Sequence, residues 1–501
     1  MAEEAAIIAR VLASPLDVDA TAWNALLARQ SHPTPFMRHE YLAALHESGS
    51  ATPRTGWAPC FMTLWDGDTL IAACPLYLKN HSYGEYVFDW AWASAYEQHG
   101  VPYYPKAVVA VPFTPVPGTR LLARDDAARG LLLRAVCQWC EDENVSSVHV
   151  LFASDADVET SAGQELMLRR TVQFHWKNMA PTLGTGVSSL PHTGEGAPAL
   201  PDRGALAALG RPDAGAVTSA PCTAAPSPPD AGEGAPASQE GEALAGPGPD
   251  VGSMAASLGA GRPFGSFDDF LASLTQDKRK KIRQERRRVA QAGVSFRWAR
   301  GAQISPADWD LFYRCYERTY LEHGNPPYLT RDFFARMAAH LPEAWLLFIA
   351  EREGKPIASS LIAISTDLSS AGGQKDSESV AYGRYWGALE RVDCLHVEAC
   401  YYQPLQWCIE HGVQRFEGGA QGEHKMARAL LPVQATSAHW LAHPAFAEAV
   451  ERFLARESEG IQHYLDDLQE RSPFRQPGPS AAHGAGPHGG DVSDTRDATI
   501  G

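Results

Sequence analysis

Across 501 residues no apolar run comes near the roughly 20 residues that a membrane-spanning helix needs. The first ten residues carry Glu3 and Glu4 and lack a long apolar core, so the N-terminus does not read as a secretory leader. Both absences predict a soluble, cytoplasmic protein. Cysteine is sparse, nine in all, with one C-x-x-C spacing at Cys137 and Cys140. That pair falls in a helical pattern, with no second cysteine pair or histidine pair beside it. It reads as core rather than as a metal or redox site, in a reducing compartment. Positive charge is in deficit: 43 Lys and Arg against 59 Asp and Glu leave a formal net charge of −16, which excludes a generic nucleic-acid binder. No H-E-x-x-H, G-x-S-x-G or P-loop motif is present, so metalloprotease, serine-hydrolase and NTPase chemistry have no residue basis, and no metal is expected.

Phe, Trp and Tyr are missing altogether between Pro181 and Pro263, a stretch of Ala, Gly, Pro and Ser with eight acids and three bases. Such a segment cannot bury enough apolar surface to offset the entropy of ordering it. Residues 181–263 are therefore expected to be a disordered insert, and 471–501 a disordered tail.

What the rest contains is an ordered repetition. Pro35-Phe36-Met37-Arg38-His39 is echoed by Pro327-Tyr328-Leu329-Thr330-Arg331. Asp66-Gly67 between apolar runs is echoed by Glu353-Gly354, Gln138-Trp139-Cys140 by Gln406-Trp407-Cys408, and Phe174-His175-Trp176 by Ala438-His439-Trp440. Four pairs in one order imply two copies of one domain: residues 1–180 and 264–470.

Each half shows the same elements. In the first, Cys60–Trp65 and Thr69–Leu78 read as a hairpin, Glu85–Trp92 as a third strand, Leu131–Glu143 as a helix, then Val148–Phe152 and Val172–Trp176 as strands. In the second, Trp345–Ala350 and Pro356–Ser365 form the hairpin, Ser379–Trp386 the third strand and Leu395–Glu410 the helix. Gln414–Glu417 and Ala435–Trp440 follow as strands, and Phe446–Ala455 as a terminal helix. Hairpins followed by a helical crossover predict an α/β (α+β) fold: in each half a mixed, mostly antiparallel sheet flanked by helices.

That order of elements resembles the Gcn5-related N-acetyltransferase (GNAT) fold, and two such units resemble the FemA/FemB-type aminoacyltransferases. The segments Asp277–Arg286, His396–Gln403 and Phe416–Lys425 make the chain most similar to the bacterial FemAB-like family of peptidoglycan biosynthesis or recognition. The resemblance implies acyl or aminoacyl transfer from an acyl-CoA or another carrier, and an acceptor that is a small molecule or a peptidoglycan precursor. It also implies a functional lysine at the place of Lys425 and a basic region near the second domain.

Three clusters carry candidate chemistry. After the strand ending at Glu417, Gly418, Gly419 and Gly422 let backbone and ligand approach closely, and Gln421 lies among them. Glu423 or His424 would serve as base and Lys425 as oxyanion stabiliser. His396, Glu398 and Tyr401, with Tyr402, share helical spacing just after the third strand and are expected to orient substrate. The turn before them, Glu390-Arg391-Val392-Asp393-Cys394-Leu395, lacks the glycines that cradle a cofactor pyrophosphate. This points to a larger carrier, an aminoacyl-tRNA or an acyl carrier protein. Arg279, Lys280 and Arg283, in the basic helix 277–290, are candidates for phosphate or carrier contact. The rigid loop Pro112–Arg120 offers Arg120 for a carboxylate or phosphate. The repeated His175 and His439 read as structural. The alternative function is a non-catalytic recognition protein for peptidoglycan fragments or an acylated carrier.

Overall fold

The computed structural model describes residues 7–180, 261–365, 378–420 and 422–475. The insert expected at 181–263 falls almost wholly outside them, as do Gln421 and most of the tail. Among the described residues no helix is long and apolar enough to cross a membrane.

The first half contributes nine strands: β1 (Ile7–Leu12), β2 (Ala58–Pro59), β3 (Phe61–Asp66), β4 (Thr69–Cys74), β5 (Leu76–Lys79), β6 (Lys106–Val109), β7 (Leu122–Ala123), β8 (Ser147–Ala153) and β9 (Met167–Lys177). The second contributes β10 (Val294–Arg300), β11 (Trp345–Arg352), β12 (Lys355–Ile364), β13 (Val380–Ala388), β14 (Arg415–Ala420) and β15 (Leu431–Leu441). Each half is a hairpin, an antiparallel third strand, a helical crossover to a parallel strand, and a long closing strand. The fold is thus the tandem, mostly antiparallel α/β arrangement that the repetition predicts.

The two halves fuse into one 11-stranded sheet of order β10-β11-β12-β13-β14-β9-β15-β8-β6-β5-β2. The closing strands are exchanged. β9 of the first half pairs with β14 of the second, and β15 of the second pairs with β8 of the first. The two closing strands pair with each other from Leu431↔His175 to His439↔Met167. Pro75 interrupts the long second strand of the first half, so β1, β3, β4 and β7 form a separate four-stranded sheet.

One expectation fails here. Glu85–Trp92 is not the third strand; it leads into a helix, Trp90–Gln98, and the third strand is β6. Trp92 and Tyr96 are buried four residues apart on that helix, a helical period that their aromatic, strand-like composition conceals. Two elements also run longer than expected. The terminal helix spans Pro444–Glu470, and the chain already pairs at β1.

The sheet faces differ in what they pack. On one, Phe174, Trp176 and Phe416 meet Leu405, Phe270 and Tyr402 in a single cluster. On the other, Tyr382 and Tyr385 join Phe36, Tyr41, Phe312 and Phe334, drawn from both halves. Fully burying one such side chain contributes about 1.5–3 kcal/mol, so the aromatic layers hold the halves as one body.

Candidate active site

In each half the third strand and the strand after the crossover helix run parallel, pair briefly and part. β13 and β14 pair only through Val380↔Arg415, Ala381↔Phe416 and Tyr382↔Glu417. Beyond Tyr382 their pairing ends, leaving a gap between them, and the helix that begins at Leu395 follows β13 in the chain. That helix runs Leu395–Val397, widens to a π turn over Glu398–Tyr402 and continues Gln403–Glu410. Gly418 fits the strand's close packing: a Cβ there would meet the Phe174 carbonyl at 3.0 Å and crowd Leu430.

The equivalent gap of the first half is filled by its own chain. β6 and β8 pair through Val109↔Val150, and the loop Pro112–Arg120 then enters, with Gly118 bridging Ala153. The Arg120 guanidinium donates to the carbonyls of Leu151 at 2.9 Å, Gly118 at 3.2 Å and Val116. Asp157 accepts from the Arg120 backbone N–H at 2.6 Å. The expectation that Arg120 holds an external carboxylate or phosphate is therefore corrected. Its guanidinium is engaged by three carbonyls, and the two within the loop, Val116 and Gly118, flank Pro117, which has no N–H to offer.

Four of the expected residues meet at the second-half gap. Lys425 Nζ donates to the Gly419 carbonyl at 3.1 Å, and burial pushes its pKa down to about 8. His424 Nε2 stands 3.5 Å from Tyr401 Oη. Burial, then the charges of Lys425 and Arg428, hold His424 below the ordinary histidine value. The His396 ring lies 5.9 Å from that of Tyr401 and is pushed to about 4 by burial and by His424, Arg428 and Lys425. Both imidazoles are thus neutral at pH 7. Arg428 frames the cluster, donating to the His424 carbonyl at 2.6 Å and pairing with Glu285 at 3.3 Å.

Glu417 sits at the point of divergence, on the opposite sheet face from Phe416. Its Oε1 is 3.3 Å from Arg415, and its Oε2 is buried with no hydrogen-bond partner, 3.9 Å from His175 Nε2. Burial raises the carboxyl to about 7 against the pull of Arg415. His175 is driven to about 3 by burial and the nearby Arg415 and Lys425, so this contact is not an ion pair at neutral pH.

The other expected residues point elsewhere. Glu423 forms an exposed ion pair with Arg471 at 3.1 Å. Glu398 accepts from Arg286 at 3.1 Å and Gln403 at 2.7 Å. It lines a separate groove of about 640 Å³ with Phe267, Arg283, Arg286, Arg287 and Phe296. Arg279 lies 3.5 Å from the carbonyls of Ala272 and Leu274, Arg283 is 3.7 Å from Asp268, and Lys280 is exposed on the basic helix Gln276–Gln291. Arg384, on β13 facing the first half, was not apparent from sequence. A lone arginine in an alternating strand carries no local signal.

Two tandem units with paired-then-parted parallel strands define a GNAT-type architecture. The chain belongs to the FemAB-like family, described for peptidoglycan biosynthesis/recognition, whose model matches residues 14–182 and 260–476. Among solved structures it is similar to the C-terminal domain of a putative lysylphosphatidylglycerol synthetase from Agrobacterium fabrum, at 10% identity and TM-score 0.42, covering 88% of this chain and 97% of that one. It is also similar to FemX, at 8% identity and TM-score 0.43, covering 87% and 98%. A third is the tandem GNAT protein from the clavulanic acid biosynthesis pathway, at 11% identity and TM-score 0.37, covering 88% and 99%. No curated protein matches the sequence significantly.

Proposed function

We propose that the protein transfers an acyl or aminoacyl group from an ester or thioester carrier to an amine on a peptidoglycan precursor or a related acceptor. The observation that carries this reading is the gap between β13 and β14, with Lys425 and a neutral His424 at its mouth. The amine nitrogen attacks the donor carbonyl carbon. A C–N bond forms, the C–O or C–S bond breaks, and the electron pair leaves with the carrier's oxygen or sulfur. His424 takes the proton released by nitrogen and returns it to the leaving atom, while the Lys425 ammonium stabilises the intervening oxyanion. Tyr401 and His396 hold the His424 ring in place. Glu423, tied to Arg471 at the surface, is the weaker base candidate.

Acyl-CoA fits poorly. The turn before Leu395 carries Glu390 and Asp393, Glu390 is paired with Arg352, and Cys394 has φ 65°. The turn Glu390-Arg391-Val392-Asp393-Cys394 has no glycine to bring backbone N–H groups onto a pyrophosphate, so no step is assigned to that cofactor. Aminoacyl-tRNA or an acyl carrier protein is the better donor, with Arg279, Lys280 and Arg283 on the exposed basic helix as the phosphate-facing residues.

The test is single-turnover transfer of a labelled amino acid from aminoacyl-tRNA to a peptidoglycan precursor. Lys425→Met should slow transfer by about a hundredfold or more while thermal unfolding stays near the wild type. An unchanged rate removes Lys425 from the mechanism. The glycine-free turn before Leu395 also favours a second reading, recognition without transfer. Saturable precursor binding with no transfer from any carrier would select it.

A further inference from the structure

A half-buried cation on β13, Arg384, is unused by the transfer step. In β13, Leu361 pairs with Tyr385 and Ile362 with Gly383, so Arg384 is the extra residue of a bulge and leaves the ladder. Its guanidinium carbon stands 5.3 Å from the ring centroid of Phe36 and 5.1 Å from that of Tyr385. Nη2 donates to the Phe113 carbonyl at 2.8 Å and lies 3.4 Å from Thr114 Oγ1. Nε is buried and donates to nothing. Among the described residues Arg384 forms no ion pair with a carboxylate.

The surroundings are tyrosines from both halves. Tyr41 Oη is 3.5 Å from Tyr385 Oη and 3.3 Å from Thr114 Oγ1. Tyr328 stacks on Phe113 at 4.8 Å and meets Tyr320 at 5.5 Å. Tyr86 adopts a left-handed backbone, φ 60°, and is 37% exposed at the rim. Its hydroxyl feels Tyr320, Arg384 and Tyr328. A partly desolvated guanidinium that pairs with no carboxylate among the described residues is costly unless a ligand supplies the counter-charge. One cation matches one negative charge. A carboxylate supplies that and takes the guanidinium fork bidentately, whereas a phosphate brings close to two.

We propose that Arg384 anchors the carboxylate of an amino-acid or peptide acceptor seated beside these tyrosines, where the two halves meet. The proposal rests on the transfer reading, since it orients the acceptor's amine toward the β13/β14 gap.

The test titrates L-lysyl-D-alanine, its C-terminal amide and inorganic phosphate into the full-length protein by calorimetry. The acid should bind about tenfold or more tighter than the amide, and phosphate should not compete. Arg384→Gln should erase the preference and Arg384→Lys should keep part of it. Equal affinity for acid and amide, no binding of the acid, or competition by phosphate overturns the proposal. So does a preference that survives Arg384→Gln. If Arg384→Gln does not fold, the acid-against-amide comparison on the wild type decides alone. Acid-selective binding by a protein that transfers nothing sinks only the transfer reading. Transfer with equal kcat/KM to acid and amide sinks only the anchor.

Discussion

Burial raises the Glu417 carboxyl to about 7 from an ordinary 4.5. The folded state therefore holds its proton more tightly than the unfolded chain. Its stabilising contribution is complete below pH 4.5 and is lost as pH rises through 7. Glu85, raised to about 7 chiefly by burial, behaves alike. In paired melts the stability of the wild type relative to Glu417→Gln should fall as pH rises from 5 to 7. Histidines held low, such as His175 and His396, add an opposite slope common to both proteins. A difference that does not change with pH would mean the carboxyl ionises freely. Catalysis has its own profile. Lys425, held at about 8, must be charged to stabilise an oxyanion, so transfer should decline as pH rises above 8. Lys425→Arg, with a guanidinium charged throughout, should remove that alkaline limb from whatever activity it keeps. The cluster of Lys425, His424, Tyr401 and His396 was legible as a set of residue types beside glycines. Which of them face the gap was not, because Glu398 and Glu423 have the same spacing but different ion-pair partners.

At the scale of elements, the divergence of β13 and β14 depends on how closely β13 lies against the helix Pro306–Glu322. Gly387 makes that approach: a Cβ there would overlap the Cys315 carbonyl, which is backbone and cannot swing away. Gly387→Ala should destabilise the fold by about 1–3 kcal/mol or more, read as a lower urea midpoint at unchanged slope. A neutral result would show that the helix can ride up without cost. The hairpins, the crossover helices and the closing strands were readable from period and turn residues. The Trp90–Gln98 helix was not, since its aromatic composition favours strand and only the burial of Trp92 and Tyr96 reveals the period. Nor was the plugged gap of the first half. Three prolines marked Pro112–Arg120 as rigid, but not that Arg120 would turn inward to the carbonyls of Val116, Gly118 and Leu151.

For the whole molecule, strand exchange sets the cooperativity. β9 lies between β14 and β15, and β15 between β9 and β8. Residues 1–180 expressed alone would carry β9 with no second-half strand beside it, an aggregation-prone arrangement. They should be insoluble alone and recovered as a complex when coexpressed with residues 261–475. Soluble, monomeric 1–180 would show that β9 finds another place. Arg169 on β9, bonded to Glu457 of the terminal helix at 2.8 and 2.7 Å, ties that helix across the same junction.

Short windows of this chain were enough to reveal a duplicated α/β unit, a basic helix and a glycine-flanked cluster of ionisable groups. Each of those is written in residues a few positions apart, where backbone periodicity and turn chemistry act. The pairing of His175 with Leu431 and the seating of Arg384 among tyrosines of both halves arise from contacts hundreds of residues apart, and the filling of the first-half gap from contacts some 31 residues apart. Those are decided by packing, which selects a register only when all the strands and both aromatic layers come together.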